Sequence, residues 1–119
     1  MESLTMEIIA DDNGHSMDFF CHVPNGTCRL TIYDTCPSVM FLSTLVVDEK
    51  CRKQGIGTAI LEGVEEIAKE SGCDVISLQV KHNSWMKDWY LRKGFIPVAD
   101  GYNYNNVIMS KFVESIKGE

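Results

Sequence analysis

The first third of the chain alternates apolar and polar residues in short runs separated by turn signals, the period-two pattern of half-buried strands. Residues 5–10 form one such run, and the Asp-Asp-Asn-Gly stretch at 11–14 turns after it. Ser16–Val23 and residues 28–33 are two more, with Pro24-Asn25-Gly26 as a hairpin signal between them. Val39–Val47 is apolar towards both sides, which predicts a strand in the middle of a sheet. The rhythm then changes. From Ile56 to Glu70 the apolar positions are Ile56, Ala59, Ile60, Val64, Ile67 and Ala68, against Glu62, Glu65, Glu66, Lys69 and Glu70. That is a helix with one buried stripe, ended by Ser71-Gly72. Residues 74–80 predict a strand and 84–92 a short helix capped by Asn83 or Ser84 and stopped at Gly94. Residues 95–98 are extended around Pro97, and 106–113 form a last strand after a polar, tyrosine-rich loop. Four strands, helix, strand, helix and two strands make a single α+β domain with a mixed sheet.

With 119 residues and 45% hydrophobic content, one core can form without disulfide or metal. No apolar stretch is long enough to span a membrane, and no targeting signal is legible after Met1-Glu2-Ser3. The five cysteines are odd in number, contain no CxxC pair, and make no zinc-ligand spacing with the three histidines. This predicts a reducing, cytoplasmic setting with most thiols buried, and no metal site. The formal net charge of −6 argues against nucleic-acid binding. Its distribution is uneven. Residues 50–58 and 81–93 hold seven of the 11 cations and a single acid, Asp88. A charge run is ordinarily a solvated face, but two cationic islands in an acidic chain also suit a bound anion.

The first island contains Arg52-Lys53-Gln54-Gly55-Ile56-Gly57-Thr58, between a buried strand and an amphipathic helix. The first turn of a helix leaves its backbone N–H groups unpaired, and the helix dipole puts partial positive charge there. Glycines at 55 and 57 admit an anion close to the backbone, and Arg52 and Lys53 add full charges. The turn matches neither the P-loop nor the dinucleotide fingerprint. In the second island Asn83, Met86 and Tyr90 are spaced to share a helix face, with Asn83 at its entrance. A tyrosine there can donate a proton at neutral pH, but taken alone the window reads better with Trp85, Trp89, Tyr90 and Phe95 as core aromatics.

Taken together, the two islands resemble the GNAT superfamily of acetyl-coenzyme A-dependent N-acetyltransferases. Residues 45–57 (LVVDEKCRKQGIG) are similar to its strand and pyrophosphate turn, with the RxxGxG core at Arg52, Gly55 and Gly57. Residues 83–95 (NSWMKDWYLRKGF) are similar to its second motif, with Asn83, Tyr90, Gly94 and Phe95 in the family's spacing. The resemblance covers residues 39–113 and implies a mostly antiparallel sheet of about seven strands with a splayed central pair and two main helices. It further implies that the backbone of Leu45, Val46 and Val47 pairs with the pantetheine amides. Arg52, Lys53 and the N–H groups of Gln54, Gly55, Ile56, Gly57 and Thr58 would hold the pyrophosphate. Asn83 would contact the pantetheine arm, Lys87, Arg92 or Lys93 would reach the 3′-phosphate or adenine, and Tyr90 would protonate the leaving thiolate. Acetyl-coenzyme A is then a co-substrate, and an amine attacks it directly in a ternary complex.

The chain departs from the family's pattern in three places. Only 38 residues precede Val39 and they read as strands and turns, so the family's N-terminal helices are reduced or absent. The acceptor side is then shallow or completed by a second subunit, as in a homodimer. Glu49 stands where a proline is frequent, and Met86 where a small residue is frequent. Ser43 or Thr44 relaying through water, or Asp34, are the candidate bases, and Tyr102 and Tyr104 border the acceptor side or form a plain solvated loop. The acceptor amine is not legible. A non-catalytic acetyl-coenzyme A-binding or interaction module on the same fold is the alternative reading.

Overall fold

The computed structural model describes residues 5–103 and 105–114. The elements follow the expected order: β1 (Glu7–Asp12), β2 (Ser16–Val23), β3 (Gly26–Tyr33), β4 (Val39–Val47), α1 (Ile56–Glu70), β5 (Val75–Lys81), α2 (Trp85–Arg92), β6 (Ile96–Asp100) and β7 (Asn106–Phe112). A short 3₁₀ turn, Glu49–Cys51, which the residue pattern did not announce, lies between β4 and α1. The seven strands form one sheet in the order β1-β2-β3-β4-β5-β7-β6. Only the β4–β5 pair is parallel. Among the described residues, no helix is long and apolar enough to cross a membrane.

Several strand ends differ from expectation by one or two residues, and those of β1 and β3 do so for local reasons. β1 runs on through Asp11 and Asp12, which pair with Asp18 and Met17, because the turn is tighter than the composition suggested. Asp12 accepts the Gly14 N–H, and Asn13 Oδ1 accepts the N–H groups of His15 and Ser16, each at 3.0 Å. β3 begins at Gly26 instead of Cys28, since Pro24-Asn25 forms a two-residue loop with Asn25 at φ 66°.

One face of the sheet carries the core. Cys21, Val23, Cys28, Leu30, Met40, Ile76, Val107 and Met109 point there, against Ile56, Ile60, Leu61, Val64, Ile67 and Ala68 of α1. Leu61 is buried and Ala59 only half-buried, a small rotation of the stripe read from the sequence. Three of the five cysteines are buried, and all five are free. The opposite face has no helix on it among the described residues, because β1 and β2 are joined by a hairpin turn. It is sealed by small polar pairs instead. Thr31 donates to Asp18 at 2.8 Å, and the Ser77 and Ser110 hydroxyls bond at 2.7 Å, all four residues being buried.

β4 contains the feature that shapes the rest. Cys28 pairs with Leu45 and Leu30 with Leu42, so Arg29 faces two residues, Ser43 and Thr44. This is a β-bulge, and Thr44 sits in it at φ 64°. The extra residue moves the core-facing set from Met40 and Leu42 before the bulge to Leu45 and Val47 after it. A left-handed conformation is unfavourable for a β-branched residue. Thr44→Gly is therefore expected to stabilise the fold by about 1 kcal/mol, seen as a higher midpoint in urea unfolding. A lower midpoint would show that Thr44 is unstrained.

Candidate active site

The parallel pairing of β4 with β5 covers three residue pairs, the last being Phe41 with Ser77. Beyond it, the second half of β4 stays with β3 and the second half of β5 stays with β7. The two strands diverge, and their facing backbone edges are left without strand partners. Such edges accept any extended chain carrying amides.

Two clefts open at this gap, and Leu45 and Met86 line both. The first, of about 690 Å³, runs from Leu45, Val46 and Val47 over the start of α1 to one side of α2. The α1 N-terminus there is built for an anion. Its capping residue Gly55 is at φ 81°, no side chain caps the helix, and no acid lies in its first turn. The unpaired N–H groups of that turn are therefore not competed for by the protein itself. Arg52, Lys53, Gly55, Ile56, Gly57 and Thr58 all line the cleft. Arg52 donates from Nε to the Val47 carbonyl at 3.3 Å, which ties the loop back to the strand end.

The far wall is aromatic. Trp85 and Trp89, one turn apart on α2, both line the first cleft. The Arg52 guanidinium lies 5.7 Å from the Trp85 ring centre and Lys93 Nζ 5.5 Å from that of Trp89. Gly57 lets the two helices approach, for a Cβ there would come within 3.1 Å of the Trp89 ring. Tyr90 and Phe95 are core aromatics, as the sequence allowed, but Trp85 is 58% exposed. The two tryptophans are thus cleft residues that the sequence reading had assigned to packing. Their i, i+4 spacing inside a cationic stretch was the available signal.

The second cleft, about 540 Å³, lies between the diverging strands and reaches Tyr90. Tyr90 is 2% exposed and stacks edge-on with Trp89 and Phe95 at 5.0 and 5.3 Å. Burial pushes its phenol well above the usual tyrosine range, with the nearby Cys28 thiol adding to the rise. Gln79 Oε1 accepts the Tyr102 N–H at 2.9 Å and so fastens the β6–β7 loop beside this cleft.

Several expected residues lie elsewhere. Asn83 precedes the Ser84 cap, which is extended at φ −126°, so it is off the helix face of Met86 and Tyr90 and is exposed. Gln54, Lys87 and Lys93 line neither cleft, while Arg92 lines the first. Asp34 follows β3 at the end of the sheet where β4 starts, away from both clefts, and is not placed to act as a base. Ser43, Thr44 and Tyr102 do line the second cleft. Tyr104 lies outside the described residues.

The sequence profile of the Acetyltransferase (GNAT) family matches residues 5–95. The chain belongs to the GNAT acetyltransferase family. Members are acyl-coenzyme A-dependent N-acyltransferases, and this chain has the GNAT sheet, its parted central strands and its two helices. No curated protein sequence matches it significantly. Among solved GNAT-fold structures, an IAA acetyltransferase from Bacillus cereus superposes with a TM-score of 0.71 at 17% identity, over 93% of this chain and 100% of that one. An acetyltransferase called PaiA from Thermoplasma acidophilum, in complex with coenzyme A, gives 0.68 at 20% identity, over 82% of this chain and 61% of that one. The ribosomal-protein-S18-alanine N-acetyltransferase of Escherichia coli gives 0.67 at 17% identity, over 91% and 75%. At these identities the likeness is one of fold.

The raised Tyr90 pKa has a stability consequence. A phenol whose folded pKa exceeds its unfolded value of about 10 contributes stability that is complete below pH 10 and is lost as pH rises from there towards the folded value. In an ultraviolet titration of phenolate absorbance, one tyrosine should fail to ionise by pH 11 while the protein stays folded. Tyr90→Phe should abolish that lagging step.

Proposed function

We propose that the protein transfers an acetyl group from acetyl-coenzyme A to a primary amine by direct attack on the thioester, within a ternary complex and without a covalent enzyme intermediate. The observation that carries this reading is the gap between β4 and β5, which leads from the bare N-terminus of α1 to a buried tyrosine. In that frame the backbone of Leu45, Val46 and Val47 offers hydrogen bonds to the pantetheine amides. The N–H groups of residues 54–58, with Arg52 and Lys53, meet the pyrophosphate. Asn83, exposed before the α2 cap and lining neither cleft, is left out of this assignment.

The aromatic wall adds a role for Trp85 and Trp89, whose faces suit the adenine ring. Arg92 lines the same cleft and is the favoured partner of the 3′-phosphate over Lys87 and Lys93. Acetyl-coenzyme A supplies the activated acyl group. The protein's task is to align it, exclude water and stabilise charge. When the C–N bond forms and the C–S bond breaks, Tyr90 delivers its proton to the departing sulfur. Burial keeps the phenol protonated at neutral pH, so the proton is in place when the thiolate forms; the same burial makes the phenol a weaker acid.

Two measurements test the assignment. Arg52→Ala and Trp85→Ala should each weaken coenzyme A binding roughly tenfold, about 1.4 kcal/mol, by calorimetry or thermal shift. Tyr90→Phe should lower kcat about 100-fold in a thiol-release assay while leaving coenzyme A affinity within a few-fold. Unchanged kcat in Tyr90→Phe with an active acceptor removes the proton-donor role.

A further inference from the structure

The second cleft is where the proposed reaction brings its acceptor, and the charge inventory of its walls is lopsided. From β4 it is lined by Ser43 and Thr44 with apolar neighbours, none of them ionisable near neutrality. β5 contributes one cation, Lys81, at its outer end. The ionisable group from α2 is Tyr90 and that from the β6–β7 loop is Tyr102, while β7 adds Ile108. Among the described lining residues there is no aspartate, glutamate or histidine.

This has two chemical consequences. None of the described wall side chains can accept a proton from an ammonium group near neutral pH, for serine and threonine hydroxyls are not bases and Tyr90 is held in its acid form by burial. Among the described wall residues no anionic side chain is present to pair with a cationic substrate either, and Lys81 repels one. The acceptor must then arrive neutral by virtue of its own pKa. At pH 7.5 about a third of an α-amine of pKa near 7.8 is neutral, against roughly one part in a thousand of a lysine side chain at 10.4.

Resting on the acyl-transfer reading above, we infer that the acceptor is a weakly basic amine carrying no other positive charge. A peptide α-amine or an arylamine has this chemistry; a lysine side chain, a polyamine and an aminoglycoside do not. The nitrogen lone pair attacks the thioester carbon, the acyl group moves to nitrogen, the surplus proton of nitrogen leaves to solvent, the sulfur departs with the proton of Tyr90, and the Tyr90 phenolate then regains a proton from solvent. Lys81 is the specificity residue that keeps polycations out.

The test is thiol release from acetyl-coenzyme A with glycinamide, 4-methylaniline, Nα-acetyl-lysine amide and spermidine, each across pH 6 to 10. One of the first two should exceed both of the others in kcat/KM at pH 7.5 by at least tenfold, and which of the two wins separates the peptide source from the aryl source. The acid limb of kcat/KM should move with the acceptor's own pKa. Lys81→Glu should raise spermidine relative to the preferred acceptor at least fivefold. An acid limb fixed at one pH below 7 for every acceptor reveals an enzyme base and overturns the inference while leaving acyl transfer intact. Spermidine or the lysine amide as the best substrate of the unaltered protein, or an unchanged ratio in Lys81→Glu, does the same. Coenzyme A binding without thiol release for any amine overturns the transfer reading itself, and the inference with it.

Discussion

The structure depends on two parallel strands that stop pairing after three residues. A sheet in which β4 and β5 stayed in register would have no gap, and the buried Tyr90 would face a closed wall. The bulge at Ser43-Thr44 takes up one surplus residue on the β3 side of β4 and turns the strand's second half away from β5. It also resets which residues face inward, so that Leu45 and Val47 meet α1 while the strand continues to its end. Local strain at one threonine is thereby exchanged for an open pair of backbone edges.

The helices then give that gap its two chemically different ends. α1 begins just beyond the outer end of β4 with an uncapped, glycine-flanked first turn, which makes the outer end electropositive. α2 follows β5 and presents successive residues to different spaces. Trp85 and Trp89 look towards α1, whereas Met86 and Tyr90 look towards the parted strands. An eight-residue helix so divides a binding wall from a proton donor, and Gly57 sets how closely the two helices meet. The absence of side-chain bases in the inner cleft complements this layout. Among the described wall residues the buried ionisable group is a phenol, which holds its proton at neutral pH and is no base there.

Much of this was legible in the residue pattern. The order of elements, the ends of β2, β4 and α1, and the two cationic turns could be read because each depends on neighbours a few positions away: alternation, helical periodicity, hairpin and capping residues. The Arg52–Thr58 turn was recognisable for the same reason, since a helix N-terminus is a local object. Errors fell where the sequence pattern left a side chain's surroundings open. Asn83 reads as part of a helix face although it lies one residue before the helix's own cap, and the tryptophans read from the pattern alone as core.

What the sequence by itself determined was therefore the composition of the chain's parts: a strand-rich first half, an amphipathic helix, and two glycine- or asparagine-marked turns bearing the cations. The resemblance implied a splayed central pair; only the tertiary structure decided that β4 and β5 part after Phe41 and Ser77, that Leu45 and Met86 join two clefts, and that Asp34 stands at the wrong end of the sheet to act as a base. The reason is physical. Periodicity reports which side of an element meets the core, but a gap between strands and the charge within it arise from groups far apart in the chain. Their proximity is set by register and by a single bulge, and neither has a signature in the hydrophobic pattern.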